Sequence, residues 1–462
     1  MSEFWMVEEF QRFLESLERE DPGFVKQEMH YFAENSRAKS VGIHTNLYPL
    51  FLNPKITKMY RRFSKLVWNA VEDVVEVVGN PSHEQASEMR DFLNIDNVLS
   101  QLLTYKPKGG RMPRIIRPDT VFSEGRIQAH EVNVSWPGGL MRTDVMLETL
   151  QENVLYRRFK EEMKNKGFHI SRPKKHYNSS LVLDQLVDAS GKEKPYIVII
   201  VPQDPLQVPI HTWFRDYVRE RGFDCDLIHP PDFQYDGQQA TVDGRPIDVA
   251  YRIFEWHHVL GDEKNEGYRR VVQAELNGLA VVNTFASELV SAKSLFEVLW
   301  DDRFRQCFDE AELDELREYI PRTANLSRVP DDVVKDVLEN KDRWVLKPVK
   351  GSCGRGVYVG KMVHGPRGSL EDWRRTVEQG RANGSYIAQE YVESPTIEMA
   401  VVRGDRLMQI KHYPDLNPPI VGGAMGHLAG RCSPSLFTAM WGPDHGGIYP
   451  ILTHDNPKPR RE

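Results

Sequence analysis

Residues 113–139 read PRIIRPDTVFSEGRIQAHEVNVSWPGG. Two runs of strand-forming residues flank Ser123-Glu124-Gly125, so the stretch reads as a β-hairpin turning there. Residues two apart on a strand face the same side, so Glu131 and Asn133 present two oxygens together. Arg117-Pro118-Asp119 lies on the partner strand, where Asp119 can face that pair across the hairpin. Glu131 stands among apolar residues in AHEVNVSW, a setting in which a carboxylate is costly unless it is paired or metal-bound. Magnesium takes hard oxygen ligands in an octahedron, usually one or two carboxylates plus substrate phosphates. A pair of such ions can bridge the phosphates of ATP. Asp119, Glu131 and Asn133 are therefore candidate Mg²⁺ ligands. A solvent-facing polar stripe on a hairpin would show the same letters, so the reading needs a phosphate-binding counterpart elsewhere.

That counterpart lies far downstream, in Lys347-Pro348-Val349-Lys350-Gly351-Ser352-Cys353-Gly354-Arg355-Gly356-Val357. Glycines at 351, 354 and 356, with Ser352 between, let backbone N–H groups converge on a phosphate. Lys347, at the end of the preceding strand, can add its charge to the same phosphates. The stretch is not a Walker A loop, because GxxxxGK[ST] is absent, and no helical pattern follows it as in a Rossmann turn. Strand, glycine-rich turn and strand suit a lid over a nucleotide; a plain surface hairpin with solvated lysines is the alternative. Gln389-Glu390-Tyr391-Val392 closes a later strand, where backbone groups can bond an adenine edge. Gly422-Gly423 permits close backbone approach, and Arg431 can hold an anionic substrate or a transferred phosphoryl group; an ordinary loop is the alternative.

Other residues carry less. His257-His258 has no third histidine or carboxylate at metal spacing and reads as structural. Cys353 has no histidine partner nearby in sequence, which argues against nucleophilic catalysis. Asp415-Leu416-Asn417 imitates the Glu131/Asn133 pair but lies among prolines.

Residues 1–105 read as mostly helical, with FWMVEEFQRFLESLE and ITKMYRRFSKLVWNAVEDVVEVV at helical spacing. HTNLYPLFLNP reads as a connector between them. Residues 106–190 hold the acidic hairpin and then one helix, TDVMLETLQENVLYRRFKEEMKNKG, opened by Thr143 or Asp144 as a cap. Residues 191–285 form a small α/β unit, with YIVIIVP and FDCDLIHP as strands and a hairpin turning at Asp243-Gly244. Residues 286–450 begin with a helix carrying Lys293, in ASELVSAKSLFEVLWDDRF. The lysine and glycine-rich strands follow, then a hairpin turning at Gly404-Asp405. Residues 451–462 read as a flexible tail.

Bulk properties bound the function. A chain of 462 residues suggests two to four packed units. With 40% hydrophobic and 27% charged residues it has the composition of a globular protein. The net charge of −7 with mixed signs argues against a nucleic-acid partner. Cys225, Cys307, Cys353 and Cys432 form no CxxC pair, so neither a zinc site nor a disulfide framework is expected, and a cytoplasmic setting is. No basic n-region with an apolar run opens the chain, and no apolar run is long enough for a membrane span.

The order of these pieces resembles the circularly permuted ATP-grasp ligases, namely eukaryotic-type glutathione synthetase and the synthetase domain of glutathionylspermidine synthase. Asp119, then Glu131 twelve positions on, then Asn133 matches the metal-ligand pattern of those families. Arg117 matches an arginine that faces the acyl phosphate. Lys293 resembles the first nucleotide lysine and Lys347 the second, and VDGRPIDVAYRIFE resembles the strand pair before the first. Gln389 to Val392 falls at the adenine hinge, and Gly422, Gly423 and Arg431 fall near the late glycine–arginine segment. One departure stands out: Gly351 occupies the place of a glutamate that glutathione synthetase carries soon after Lys-Pro.

The resemblance implies an α/β (α+β) permuted ATP-grasp fold with a helical N-terminal region and an inserted small α/β substrate domain. It implies ATP and Mg²⁺ as cofactors and an ADP-producing carboxylate–amine ligase working through an acyl phosphate. Small-molecule acids and amines would be the partners, an amino acid, peptide or polyamine among them, and a homo-oligomer fits. An ATP-dependent phosphotransferase or carboxylate–thiol ligase would present the same nucleotide site, and a non-catalytic ligand-binding relative would keep the fold alone.

Overall fold

The computed structural model describes residues 5–42, 48–95, 100, 102–103, 107–108, 110, 112–205, 207–259, 266–351, 354–363, 368–403, 406–436 and 447–455. Helices Trp5–Glu20, Phe24–Asn35 and Pro54–Gly79 occupy the expected helical region. The longest starts where Asn53 accepts the Ile56 N–H at 2.9 Å, with Pro54 in the first turn. It buries Ile56, Tyr60, Phe63, Val67, Val71, Val74 and Val78, the stripe that a spacing of three and four produces. No helix among the described residues is long and apolar enough to cross a membrane.

Two expectations at the chain's ends need correction. The connector HTNLYPLFLNP contains a strand, Leu50–Leu52, and the supposed tail contains another, Ile451–Asp455. They pair in parallel, and His454 and Asp455 pair with Ile170 and His169 on the other side. Ile451 and Leu452 are buried, so the ladder satisfies their backbone while removing apolar surface from water. A partner hundreds of residues away leaves no local pattern. Residues 456–462 lie outside the described residues, as does the turn expected at Gly404-Asp405.

The acidic hairpin forms as strands Ile115–Ser123 and Arg126–Asn133. Its turn is tighter than expected, because Ser123 pairs with Arg126 and only Glu124 and Gly125 connect them. Both have positive φ, 52° and 77°, the type I′ geometry that matches strand twist. Arg117 lies opposite Asn133 and Asp119 opposite Glu131, with a bulge between Asp119 and Thr120. Directly opposed residues share a face. Strands Ile420–Val421 and Ala424–Met425 extend this sheet beyond Ile115–Ser123. Gly422-Gly423 is therefore a second two-residue turn, with φ of 55° and 79°. A Cβ on Gly422 would stand 2.4 Å from Gln185 Nε2. The close approach expected there is made to the chain's own Gln185.

The single helix expected after the hairpin is two, Leu140–Glu152 and Val154–Asn165. Asn153 ends the first and caps the second by accepting the Tyr156 N–H at 3.1 Å. Asp144 does not open its own helix. Its carboxylate accepts the N–H groups of Asn178 and Ser179, at the start of helix Tyr177–Ser190. The small α/β stretch carries a four-stranded parallel sheet in the order 280–282, 249–252, 197–200, 225–228. The expected hairpin is present, with Val242 paired to Arg245 across Asp243-Gly244.

The stretch expected as a helix carrying Lys293 is a 3₁₀ helix, Phe285–Val290, and a short α-helix, Leu295–Trp300. Lys293 sits in the break, where its N–H donates to Val349 O at 2.9 Å instead of to a helical carbonyl. Beyond it, strands Thr323–Asn325, Tyr386–Glu390, Trp344–Pro348 and Tyr358–Val359 form an antiparallel sheet in that order. Leu326, Val337, Trp344, Leu346, Val363, Trp373, Val377 and Ala388 bury one another as a core apart from the main one. The lysine strand thus belongs to a lobe with its own packing, and the acidic hairpin belongs to the main body.

Candidate active site

The body and the lobe meet at a cavity of about 530 Å³. Glu131 and Asn133 line it from the acidic hairpin, Lys293 from the helix break, and Lys350, Gly351 and Arg355 from the glycine-rich segment. Lys293 Nζ stands 3.3 Å from Glu131 Oε2 and also donates to the Gly351 carbonyl. Lys347 is buried, and its Nζ donates to the His130 carbonyl at 3.0 Å. Asn133 donates its amide to the Arg117 carbonyl at 3.1 Å, which leaves its oxygen available to a ligand.

The electrostatics follow from this crowding. Burial pushes the Lys347 ammonium down to about 8, with Glu131 opposing the shift and Lys293 adding to it. Burial and the Lys347 charge take His130 down to about 4, so it is neutral at ordinary pH. Burial acts to raise the Glu131 carboxyl, but Lys293 and Lys347 outweigh it and keep the group below its ordinary value.

Asp119 has a different environment. Its Oδ1 accepts from Arg117 Nε at 3.0 Å and its Oδ2 from Arg431 Nη2 at 2.7 Å. Arg431, on strand Ala429–Ser433, also donates from Nη2 to Asp415, its cross-strand partner on strand Arg406–Asn417. Burial opposes ionisation of Asp119, but the two guanidinium groups hold its carboxyl well below the usual carboxylate range. Asn417 Oδ1 accepts the Thr120 N–H at 3.0 Å. Asp415 and Asn417 thus tie strand Arg406–Asn417 to the acidic hairpin and do not form a second ligand pair.

The structure brings together Glu131, Asn133, Lys293, Lys347 and Gly351. Arg117, Asp119 and Arg431 form the adjoining ion cluster. Gly354 and Gly356 follow Gly351 in the glycine-rich segment, while Ser352 and Cys353 lie outside the described residues. Gln389 and Glu390 share the lobe sheet with Lys347 and Tyr391 and Val392 follow that strand, but none of the four is among the described lining residues. Gln389 is buried and donates to Thr323 Oγ1 at 3.0 Å. The Glu390 and Tyr391 N–H groups donate to Arg322 O and Arg343 O, so an adenine edge there would use the Glu390 carbonyl or Val392.

A metal fits only with help. Among the described residues no group of three His, Cys, Asp or Glu side chains is placed to hold an ion. Glu131 and the Asn133 oxygen provide a partial set of hard oxygens, with Asp119 opposite but engaged by arginines. Such a set suits Mg²⁺ that completes its octahedron with phosphate oxygens. Lys350 and Arg355 carry no distinctive signal in the sequence, and His257, structural by metal spacing, stands on the cavity wall with Glu255 and Trp256. A carboxylate two residues before the histidine was the available signal.

No protein-family profile matches the chain, and no curated protein matches it by sequence. Solved structures do match in fold. A glutathione synthetase-like effector from Globodera pallida is 13% identical, with a TM-score of 0.57 over 87% of this chain and 89% of that one. A protein from Methylobacillus flagellatus KT, provisionally named gamma-glutamylcysteine synthetase, is 9% identical over 82% and 86% of the two chains, with a TM-score of 0.42. D-alanyl-alanine synthetase A from Vibrio cholerae O1 biovar eltor is 12% identical over 56% and 89%, with a TM-score of 0.30. At such identities the likeness is one of fold, and the first structure carries it. The chain has a mixed α/β fold of the ATP-grasp type, as expected from the order of its motifs.

Proposed function

We propose that this protein is a magnesium-dependent, ATP-using ligase that joins a carboxylate to an amine through an acyl phosphate. The observation carrying this reading is the cavity that Glu131 and Asn133 share with Lys293 and the glycine-rich segment, with the buried Lys347 bonded to the same hairpin strand at the His130 carbonyl. A carboxylate is a poor electrophile, and transfer of the γ-phosphoryl of ATP makes it reactive. Such a transfer needs positioning and charge stabilisation more than covalent help.

The roles follow from position. Lys293 and Lys347 bind and orient the phosphates as fixed cations. The backbone around Gly351 covers them and keeps water from the acyl phosphate. Glu131 and Asn133 would hold Mg²⁺, which would supply positive charge to the phosphates, while Asp119 stays behind them in its arginine cluster. Arg117 and Arg431 lie behind the cavity, where they hold Asp119 and add positive charge to the field at the transferring group. Gln389 to Val392 offer backbone to the adenine. The fold likeness to a glutathione synthetase-like protein supports an ATP-dependent ligase, and product analysis separates it from the phosphotransferase and thiol-ligase readings.

ADP release tests this. Mg-ATP with a panel of amino acids and γ-glutamyl peptides as acids, and small amines as acceptors, is expected to yield ADP, phosphate and an amide. Turnover that needs no acid, or transfer of phosphate to a stable phosphoester, would sink the ligase reading. Lys347→Ala is expected to abolish ADP release while the circular dichroism spectrum stays unchanged.

A further inference from the structure

Glu255, Trp256 and His257 are the contribution of the parallel-sheet unit to the cavity wall. They follow strand Val249–Arg252, and the carboxyl ends of parallel strands are where open α/β sheets take ligands. Glu255 Oε2 stands 3.1 Å from His257 Nδ1. The two side chains are 30% and 60% exposed, so both are reachable. Their turn is anchored. Trp256 is buried with its ring edge-on to Phe285, and the His258 N–H donates to the Glu255 carbonyl at 3.1 Å. Among the described residues, His257 Nε2 has no hydrogen-bond partner.

A carboxylate on one ring nitrogen fixes the imidazole's tautomer and leaves the other nitrogen as a proton acceptor. The proposed ligase reaction needs such an acceptor, because an alkylamine arrives as an ammonium ion with no free lone pair. The other titratable groups described on the wall are cations or already engaged: Lys293, Lys350 and Arg355 are cations, Glu131 is held by Lys293, and Glu288 by Arg252, Ser135 and Ser291. We propose that Glu255 and His257 form the acceptor-amine subsite, with His257 as the base that activates a primary amine. This inference rests on the ligase reading.

The step balances. His257 Nε2 takes one proton from the ammonium. The freed lone pair forms a C–N bond to the acyl carbon, and the C–O bond to the phosphoryl group breaks. Phosphate leaves with that electron pair, and the tetrahedral nitrogen's second proton and the imidazolium proton pass to phosphate and solvent. Glu255 steadies the imidazolium and acts as a positioning residue.

The test compares acceptors of different basicity, with Mg-ATP and glutamate, γ-glutamylcysteine or D-alanine as acid probes. Glycine is protonated at neutral pH, whereas hydroxylamine is not and needs no base to attack. His257→Gln is expected to lose on the order of 10²-fold or more with glycine, the usual worth of a general base, while hydroxamate formation continues. Glu255→Gln should show the same pattern more weakly, and added imidazole should restore part of the His257→Ala rate. Equal losses with both nucleophiles, or no loss with either, would overturn the assignment. If wild-type protein releases no ADP with any acid even in hydroxylamine, the ligase reading itself falls and takes this subsite with it.

Discussion

Asp119 and Glu131 face each other across one pair of strands, yet one is closed and the other open. Both oxygens of Asp119 are taken by Arg117 and Arg431, and Arg431 is taken again by Asp415. Glu131 has one lysine at 3.3 Å and a cavity in front of it. Spacing alone made them equivalent candidates for magnesium. What separates them is saturation. A carboxylate already neutralised by two guanidinium groups gains little from a cation, whereas one held by a single ammonium can exchange that partner for a metal and its phosphates. The closed cluster is expected to support the hairpin, and the open pair to carry the chemistry.

The largest expected effect falls on the closed side. Asp119→Ala leaves Arg117 and Arg431 without their shared anion in a buried place. Breaking such a pair costs about 3–5 kcal/mol. Chemical denaturation should show a loss of that size. A loss under about 1 kcal/mol, the size of an exposed ion pair, together with weakened magnesium dependence would mean that Asp119 is a ligand first. On the open side, Glu131→Gln keeps the size and removes the charge. Turnover is expected to fall by about 10²–10³, by analogy with a lost oxyanion-hole donor, while stability is hardly altered. Near-normal turnover in Glu131→Gln would erase the distinction.

The two sides were not equally legible in the sequence. Local signals located the acidic hairpin, its turn and the strands around the glycine-rich segment, because alternation and turn chemistry act over a few residues. Long-range partners were hidden. Nothing near Asp119 shows that Arg431 will lie against it, since that contact comes from the pairing of strands Arg406–Asn417 and Ala429–Ser433. The helical spacing of ASELVSAKSLFEVL puts Lys293 on a helix. The observed break lets its N–H donate to Val349 and its side chain reach Glu131. His257 reads as structural on metal spacing alone, a criterion that leaves its partner Glu255 unseen.

Lys347 allows a finer probe of the open side. Burial lowers its ammonium to about 8, and a bound phosphate would favour the charged form. ATP affinity should therefore hold below that pH and fall as pH rises through it, by up to about tenfold per unit while one proton is taken up on binding. Lys347→Arg stays charged throughout and should flatten the dependence. Calorimetry at several pH values would show whether the slope disappears. For folding the sign is opposite. The unfolded lysine keeps its proton to a higher pH than the folded one, so this group's burial penalty diminishes as pH rises above about 8.

The smallest expected effect tests whether the closed cluster behaves as a unit. Asp415 is the second anion of Arg431, and its own backbone oxygen accepts from Tyr449 Oη at 3.1 Å. Asp415→Asn keeps the shape and one acceptor while removing a charge. Asp119 still neutralises Arg431 in this variant, so the loss should be about 1 kcal/mol, that of an ordinary hydrogen bond. Combining it with Asp119→Asn removes both anions from one guanidinium. The double variant should then lose more than the sum of the singles, by about 0.5–3 kcal/mol, as neighbours sharing a partner do. Strict additivity would mean that Arg431 does not couple the two aspartates, and the contrast between a closed and an open carboxylate would rest on Arg117 alone.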